Sequence, residues 1–142
     1  MNRTEFEALR DLPGKTIDGD IRLSRREALR PVREASDISI ANEHGVDLRM
    51  GVRWNPETGK KTVNVYVPGL GPICRIDVDG PMHRDAGRSH KHSLHTERCP
   101  DRNLDQDVAA RPDLSGRDLE TVLRQFCREA AITFGGVFDP GL

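Results

Sequence analysis

Aromatic side chains are scarce in this chain: Phe, Trp and Tyr together make up 4% of its 142 residues, with a single Trp and a single Tyr. A core made without them has to be aliphatic, filled by Val, Ile and Leu. Long apolar runs are missing too. None approaches the roughly 20 residues that cross a bilayer as a helix, and residues 1–13 lack the basic head and apolar stretch of a leader, so no membrane association and a cytoplasmic location are expected. Cysteine is sparse. Cys74, Cys99 and Cys127 are odd in number and widely spaced, which fits reduced thiols and not a disulfide framework. Excess charge is absent, since the formal net charge is -1; bulk attraction to nucleic acid is excluded and only local patches remain. There is no internal repeat, no low-complexity segment and no paired Cys-x-x-Cys. Gly69-Leu70-Gly71 is not a phosphate loop, because no helix follows it and no Lys-Ser/Thr closes it.

What is present is charge of both signs, 32% of the residues, in a chain long enough for one domain with one core. Arg outnumbers Lys heavily, a bias that favours bidentate recognition of carboxylate or phosphate and that a GC-rich genome also produces. Five Arg against two Glu stand between Arg22 and Glu34. That run reads as a solvated face or as a phosphate-contacting patch.

Periodicity supplies the elements. Thr4 with Glu7 forms a capping box for a short helix carrying Phe6, Leu9 and Leu12 on one side and stopped by Pro13-Gly14. Thr16 to Leu23 is a weak edge strand, and Ser24 to Glu27 opens a second helical turn with another capping box, which Pro31 limits. The strongest signal is a β-meander. Asp37 to Ile40 alternates, as does Val46 to Trp54; Asn55 to Lys60 has turn chemistry, and Val63, Val65 and Val67 share one side of the next strand. In the strand from Ile73 to Val78, Cys74, Ile76 and Val78 face one way and Arg75 and Asp77 the other. Residues 99–114 read as a loop. A third capping box, Ser115 with Asp118, then opens an amphipathic helix over about 116–131, through Leu119, Val122, Leu123, Phe126, Cys127 and Ala130. The tail 134–138 adds a short strand or tucks two aromatics under that helix.

The expected architecture is therefore α+β: a curved antiparallel sheet of about four or five strands with the C-terminal helix packed on one face and short N-terminal helices. One domain divides into an N-terminal helical segment (1–35), the meander with a histidine cluster (36–98), the loop (99–114), and the helix and tail (115–142).

Four of the five histidines fall between Ile73 and His95, directly after the Asp79-Gly80-Pro81 turn. Two chemistries suit them. As a metal centre, His90, His92, His83 and Cys99 are donors that zinc accepts, with two ligands from a strand and His83 from the turn. On a strand His95 would point away from His90 and His92. As a metal-free site, His83, His90 and His92 supply a general base and a general acid, while Arg75 holds the negative charge developing on a phosphate and Asp77 assists in binding. That set would suffice for RNA cleavage through the 2′-hydroxyl. A bland alternative has the histidines partly buried and hydrogen-bonded to Arg75 or Asp77, with Leu94 marking the core side.

The string Arg75-x-Asp77-x-x-Gly80-Pro81-x-His83, followed by His90-x-His92, resembles the core of a family of small uncharacterised bacterial and prophage-associated proteins, a domain of unknown function, over about forty per cent of the chain. The resemblance implies a bacterial, mobile-element or toxin-antitoxin setting and transfers no activity. Leu94 stands where that family usually has an aromatic residue, and the Trp-containing segment after it is missing.

Two functions follow as expectations. One is a toxin-like hydrolase acting on RNA or a nucleotide by histidine acid/base chemistry, without a cofactor unless zinc is bound. The other is a non-catalytic interaction module, antitoxin-like or phage-conflict, whose sheet edge and Arg-rich segment engage a protein partner.

Overall fold

Pairing of the alternating strands dominates the architecture. The computed structural model describes residues 3–25, 30–81, 87–93 and 108–141, with 3, 90–93 and 108–109 given by their backbone alone. Helix α1 (Arg3–Asp11) leads into three short strands, β1 (Lys15–Ile17), β2 (Ile21–Arg22) and β3 (Ser24–Arg25). The meander continues through β4 (Arg33–Ile40), β5 (Leu48–Trp54), β6 (Lys61–Val67), β7 (Gly71–Val78), β8 (His90–Ser93) and β9 (Val108–Ala110). Helix α2 (Leu119–Glu129) follows, then β10 (Ile132–Phe134) and β11 (Phe138–Asp139). Strands β3 to β9 form one antiparallel sheet in sequence order. The fold is α+β, with the expected meander in its first five strands, the C-terminal helix and a short N-terminal helix. Two short strands, β8 and β9, carry the sheet beyond the expected width.

The β5–β6 hairpin shows how local chemistry sets register. The Asn55 side chain accepts the N–H groups of Glu57 (3.0 Å) and Thr58 (3.3 Å), and Gly59 takes a left-handed φ of 81°. Trp54 then faces Lys61 across the ladder. That register puts Leu48, Met50, Val52, Val63, Val65, Cys74, Ile76 and Val78 on one buried face. Phe6 and Leu9 of α1 and Leu119, Val122, Leu123, Phe126 and Cys127 of α2 join them in one core cluster. Each such aliphatic side chain contributes roughly 1.5–3 kcal/mol by burial. The opposite face alternates into polar residues.

A bulge interrupts β4 between Ala35 and Ile38, where Asp37 adopts a left-handed φ of 56°. The Tyr66 hydroxyl spans it, donating to Asp37 Oδ1 at 2.7 Å and accepting the Asp37 N–H at 3.0 Å. Lys15 is buried, yet its ammonium donates to the carbonyl oxygens of Leu9 (2.7 Å) and Arg10 and so satisfies the last turn of α1. Burial lowers its pKa to about 8.

Three sequence expectations change. Ser24 and Arg25 form β3, paired with Glu34 and Arg33, where a helical turn was expected; long-range pairing overrides the local capping signal. Residues 26–29 lie outside the described set. Helix α2 begins at Leu119 with Asp118 as its N-cap, whose carboxylate accepts the Thr121 N–H at 2.7 Å. Ser115, the expected cap, instead meets Ser89. The segment expected as loop contains β9 and a single 3-10 turn at Pro112–Leu114.

The tail provides both β10, parallel to β1, and β11, parallel to β2. These pairings press Gly136 onto Gly19: a methyl at residue 136 would overlap the Gly19 carbonyl oxygen and lie 2.8 Å from the carbonyl carbon. At Gly135 an added methyl meets nothing within 4 Å. Gly136→Ala is therefore expected to cost about 2–3 kcal/mol, because backbone, unlike a side chain, cannot rotate away. Gly135→Ala should stay within about 0.5 kcal/mol of the parent. Urea melts of the two variants check this, and equal midpoints would refute the close approach.

Candidate functional site

The polar face of the sheet is where the sequence-distant candidates meet. Directly opposed residues of an antiparallel ladder lie on the same face. One row crosses the sheet as Arg53, Thr62, Asp77, His90 and Ala110; the next crosses as Gly51, Asn64, Arg75, His92 and Val108. His90 and His92 thus take register positions on the face of Asp77 and Arg75, away from the aliphatic core. This disfavours the reading in which Leu94 marked a core side for them; Leu94 itself lies outside the described residues, as do His83, His95 and Cys99.

Asp77 joins two neighbouring side chains on this face. Arg75 Nε donates to Asp77 Oδ2 at 2.9 Å, and the Thr62 hydroxyl donates to Asp77 Oδ1 at 2.9 Å. The two bonds hold the Arg75 guanidinium along its own strand. Asn64 Oδ1, in the neighbouring row, is buried and has no hydrogen-bond partner among the described residues. Farther along, Arg49 lies 2.9 Å from Asp47 and 3.3 Å from Asp37, and Arg53 lies 3.4 Å from Glu34. The Tyr66 hydroxyl, joined by Arg49, keeps the Asp37 carboxyl below its ordinary value.

As for metal, no group of three or more His, Cys, Asp or Glu able to hold an ion occurs among the described residues. His90 and His92 share the face that two strand ligands would need, and the other zinc candidates, His83 and Cys99, lie outside the described set. Among the described residues no helix is long and apolar enough to cross a membrane.

The Arg-rich run is partly occupied within the chain. Arg22 pairs with Asp139 at 3.1 Å, and Arg33 Nη1 donates to the Gly141 carbonyl. Cys74 and Cys127 are core residues, as their apolar faces implied, and burial raises the Cys127 thiol pKa to about 11. His44 is exposed within the turn that the Gly45 N–H closes onto the Asn42 carbonyl.

Sequence reasoning missed Asp79. Read only as turn chemistry, it has a left-handed φ of 55° and fastens four segments together. Its carboxylate accepts from Lys61 Nζ at 2.8 Å and from the Gly116 N–H at 3.0 Å, and its own N–H donates to Ser89 Oγ at 3.1 Å. Ser89 and Ser115 are hydrogen-bonded at 2.7 Å. This knot closes β7 at the point from which the chain runs toward His83, and it fixes the lead-in to α2. Lys61, on the core face at the start of β6, was the available signal: a charged residue at a core-phase position needs a buried partner.

No protein-family model, curated protein or solved structure matches the chain, and the site is read from its own residues.

Proposed function

We propose that the polar face is the active site of a small toxin-like hydrolase that cleaves phosphate esters in RNA or a nucleotide, with His90 and His92 as acid/base pair, Arg75 as phosphate anchor and Asp77 as its positioning partner. His83 is a further candidate from the turn. The observation that carries this reading is the ladder register that sets His92 opposite Arg75 and His90 opposite Asp77. The two positions are two residues apart on one strand, about 7 Å along the backbone, and on the same face.

In the reaction one imidazole removes the proton of a 2′-hydroxyl, whose oxygen attacks the adjacent phosphorus. The P–O5′ bond breaks, and the second histidine, as imidazolium, protonates the departing 5′-oxygen. Arg75 stabilises the charge that builds on the non-bridging oxygens. The products are a 2′,3′-cyclic phosphate and a 5′-hydroxyl. The motif likeness to prophage-associated proteins agrees with a toxin-like role, and growth inhibition on expression is the cellular counterpart.

Incubation of the purified protein with end-labelled RNA tests the reading. Cleavage with cyclic-phosphate ends, insensitive to chelator and about 100-fold slower for Arg75→Ala, is expected. Intact RNA would overturn it; loss of cleavage on chelation would transfer His90 and His92 to a zinc centre.

One observation favours the second reading, an interaction module. Arg49, Arg53 and Arg75 each sit beside a carboxylate, so the face presents paired charges of both signs. Such a surface suits a partner protein of complementary pattern. Harmless expression with recovery of a single partner at fixed stoichiometry would favour it.

A further inference from the structure

Beside the proposed site, at the turn end of the β5–β6 hairpin, lies a cleft of about 240 Å³ lined by Val32, Arg53, Asn55, Lys60 and Thr62. We infer that this cleft is a second phosphate-binding subsite, so that the substrate is single-stranded RNA several nucleotides long and not a free nucleotide; the inference rests on the polar face being the reacting site.

Donor chemistry within the cleft narrows its ligand. The Asn55 carbonyl oxygen is committed to the turn, and the Thr62 hydroxyl to Asp77. The Asn55 amide N–H groups, Arg53 and Lys60 remain to meet a ligand; all are donors, and two are cations. Glu34 lies 3.4 Å from Arg53 Nε, and Asp77, which accepts from Thr62, is already paired with Arg75 at 2.9 Å; Lys60 has no carboxylate within ion-pair distance among the described residues. The two cations against one carboxylate favour an anion. Val32 adds an apolar wall.

Position then argues for a chain of anions. Arg53 and Thr62 begin the row that continues through Asp77 to His90. Three strand-to-strand steps of about 4.8 Å make that row about 14 Å long. One phosphate cannot reach both ends, whereas a nucleic-acid strand carries a charge at every linkage. The Lys60 stem also packs beside the turn that ends β7. Gly80 has no side chain, and a Cβ built there would lie 3.5 Å from Lys60 Cε, so the lysine stem runs close along the 79–81 turn. A broad sheet face does not enter a duplex groove, but an unpaired strand can lie across it with its backbone over a line of cations.

The test uses the full chain and two uncleavable probes, 2′-O-methyl hexauridylate and 2′-O-methyluridine 3′-monophosphate, titrated over a range of salt. Lys60→Gln and Arg53→Gln are each expected to weaken the hexamer about fivefold and to lower the slope of log K against log salt by about 0.7, leaving the monophosphate unaffected. Unchanged hexamer binding, or equal weakening of both probes, would overturn the subsite while the reading of the face stands. Failure of the parent protein to bind either probe would overturn both.

Discussion

Asp79→Ala should lower stability by about 3 kcal/mol, roughly 10 °C in melting temperature for a chain of this size. The Lys61 side chain is only 8% exposed, and the Asp79 side chain 22%. Removing the carboxylate leaves a buried ammonium with the Gly59 carbonyl as its other bonded partner and strips the Gly116 N–H of its acceptor. Breaking one side of such a pair costs far more than a surface ion pair contributes. The left-handed backbone adds to the effect, since alanine tolerates φ of 55° less well than aspartate or asparagine. Asp79→Asn is accordingly expected to fall between parent and alanine variant, and Asp79→Asn with Lys61→Met to recover part of the loss because no charge is left unpaired. A loss below about 0.5 kcal/mol for Asp79→Ala would show that the knot contributes little.

The same residue gives the fold an acid limit. Burial works against the Asp79 charge, but the Lys61 ammonium and the Gly116 N–H outweigh it and hold the carboxyl below its ordinary value. A depressed folded-state pKa means that the unfolded chain binds the proton more readily. The contribution is then complete above the unfolded carboxylate value near 4 and disappears as pH falls through the lower folded value. Stability measured between pH 5 and pH 2 should decline less steeply in Asp79→Asn than in the parent.

Much of the fold was legible because alternation and helical periodicity are local. The strand from Leu48 to Trp54, the hairpin turn at 55–60 and the stripe through Leu119 and Phe126 each state their own structure within a dozen residues. What could not be read depends on partners far along the chain. Ser24 looks like a helix cap until Glu34 pairs with it, and Ser115 looks like a cap until Ser89 takes its hydroxyl and Asp118 proves to be the residue at the helix start. Asp79 binds Lys61 and Gly116 across 18 and 37 positions. No pattern within a turn signals such a contact.

The candidate site divides in the same way. Face assignment for Arg75 and Asp77 followed from alternation along one strand. The face of His90 and His92 relative to them did not, because a shift of one residue in the β7–β8 register would have sent both histidines to the core side. The ladder supplies that missing relation. It also changes what the arginine bias means: Arg22 and Arg33 tie down the C-terminal tail, while Arg49, Arg53 and Arg75 line the polar face, so the arginines relevant to a ligand are not those of the conspicuous run.

If the polar face cleaves RNA as proposed, the two histidines should have different roles, and the pH dependence of that cleavage tests them. His90 stands across from an acidic position and His92 across from a basic one. A neighbouring carboxylate favours the protonated imidazole and a guanidinium disfavours it, so His90 is expected to act as general acid and His92 as general base. Each alanine variant should lose about 10²–10⁴ in rate, and the double variant should be little slower than the worse single one, because the two groups act in one step. On that proposal the parent protein should show a bell-shaped profile. A base must be unprotonated to work, so its titration makes the acidic limb, and His92→Ala should flatten that limb. His90→Ala should flatten the alkaline limb, since the acid must keep its proton. Exchanged limbs would reverse the roles and leave the site standing; alanine variants with the parent's rate and profile would remove these two histidines from the chemistry altogether.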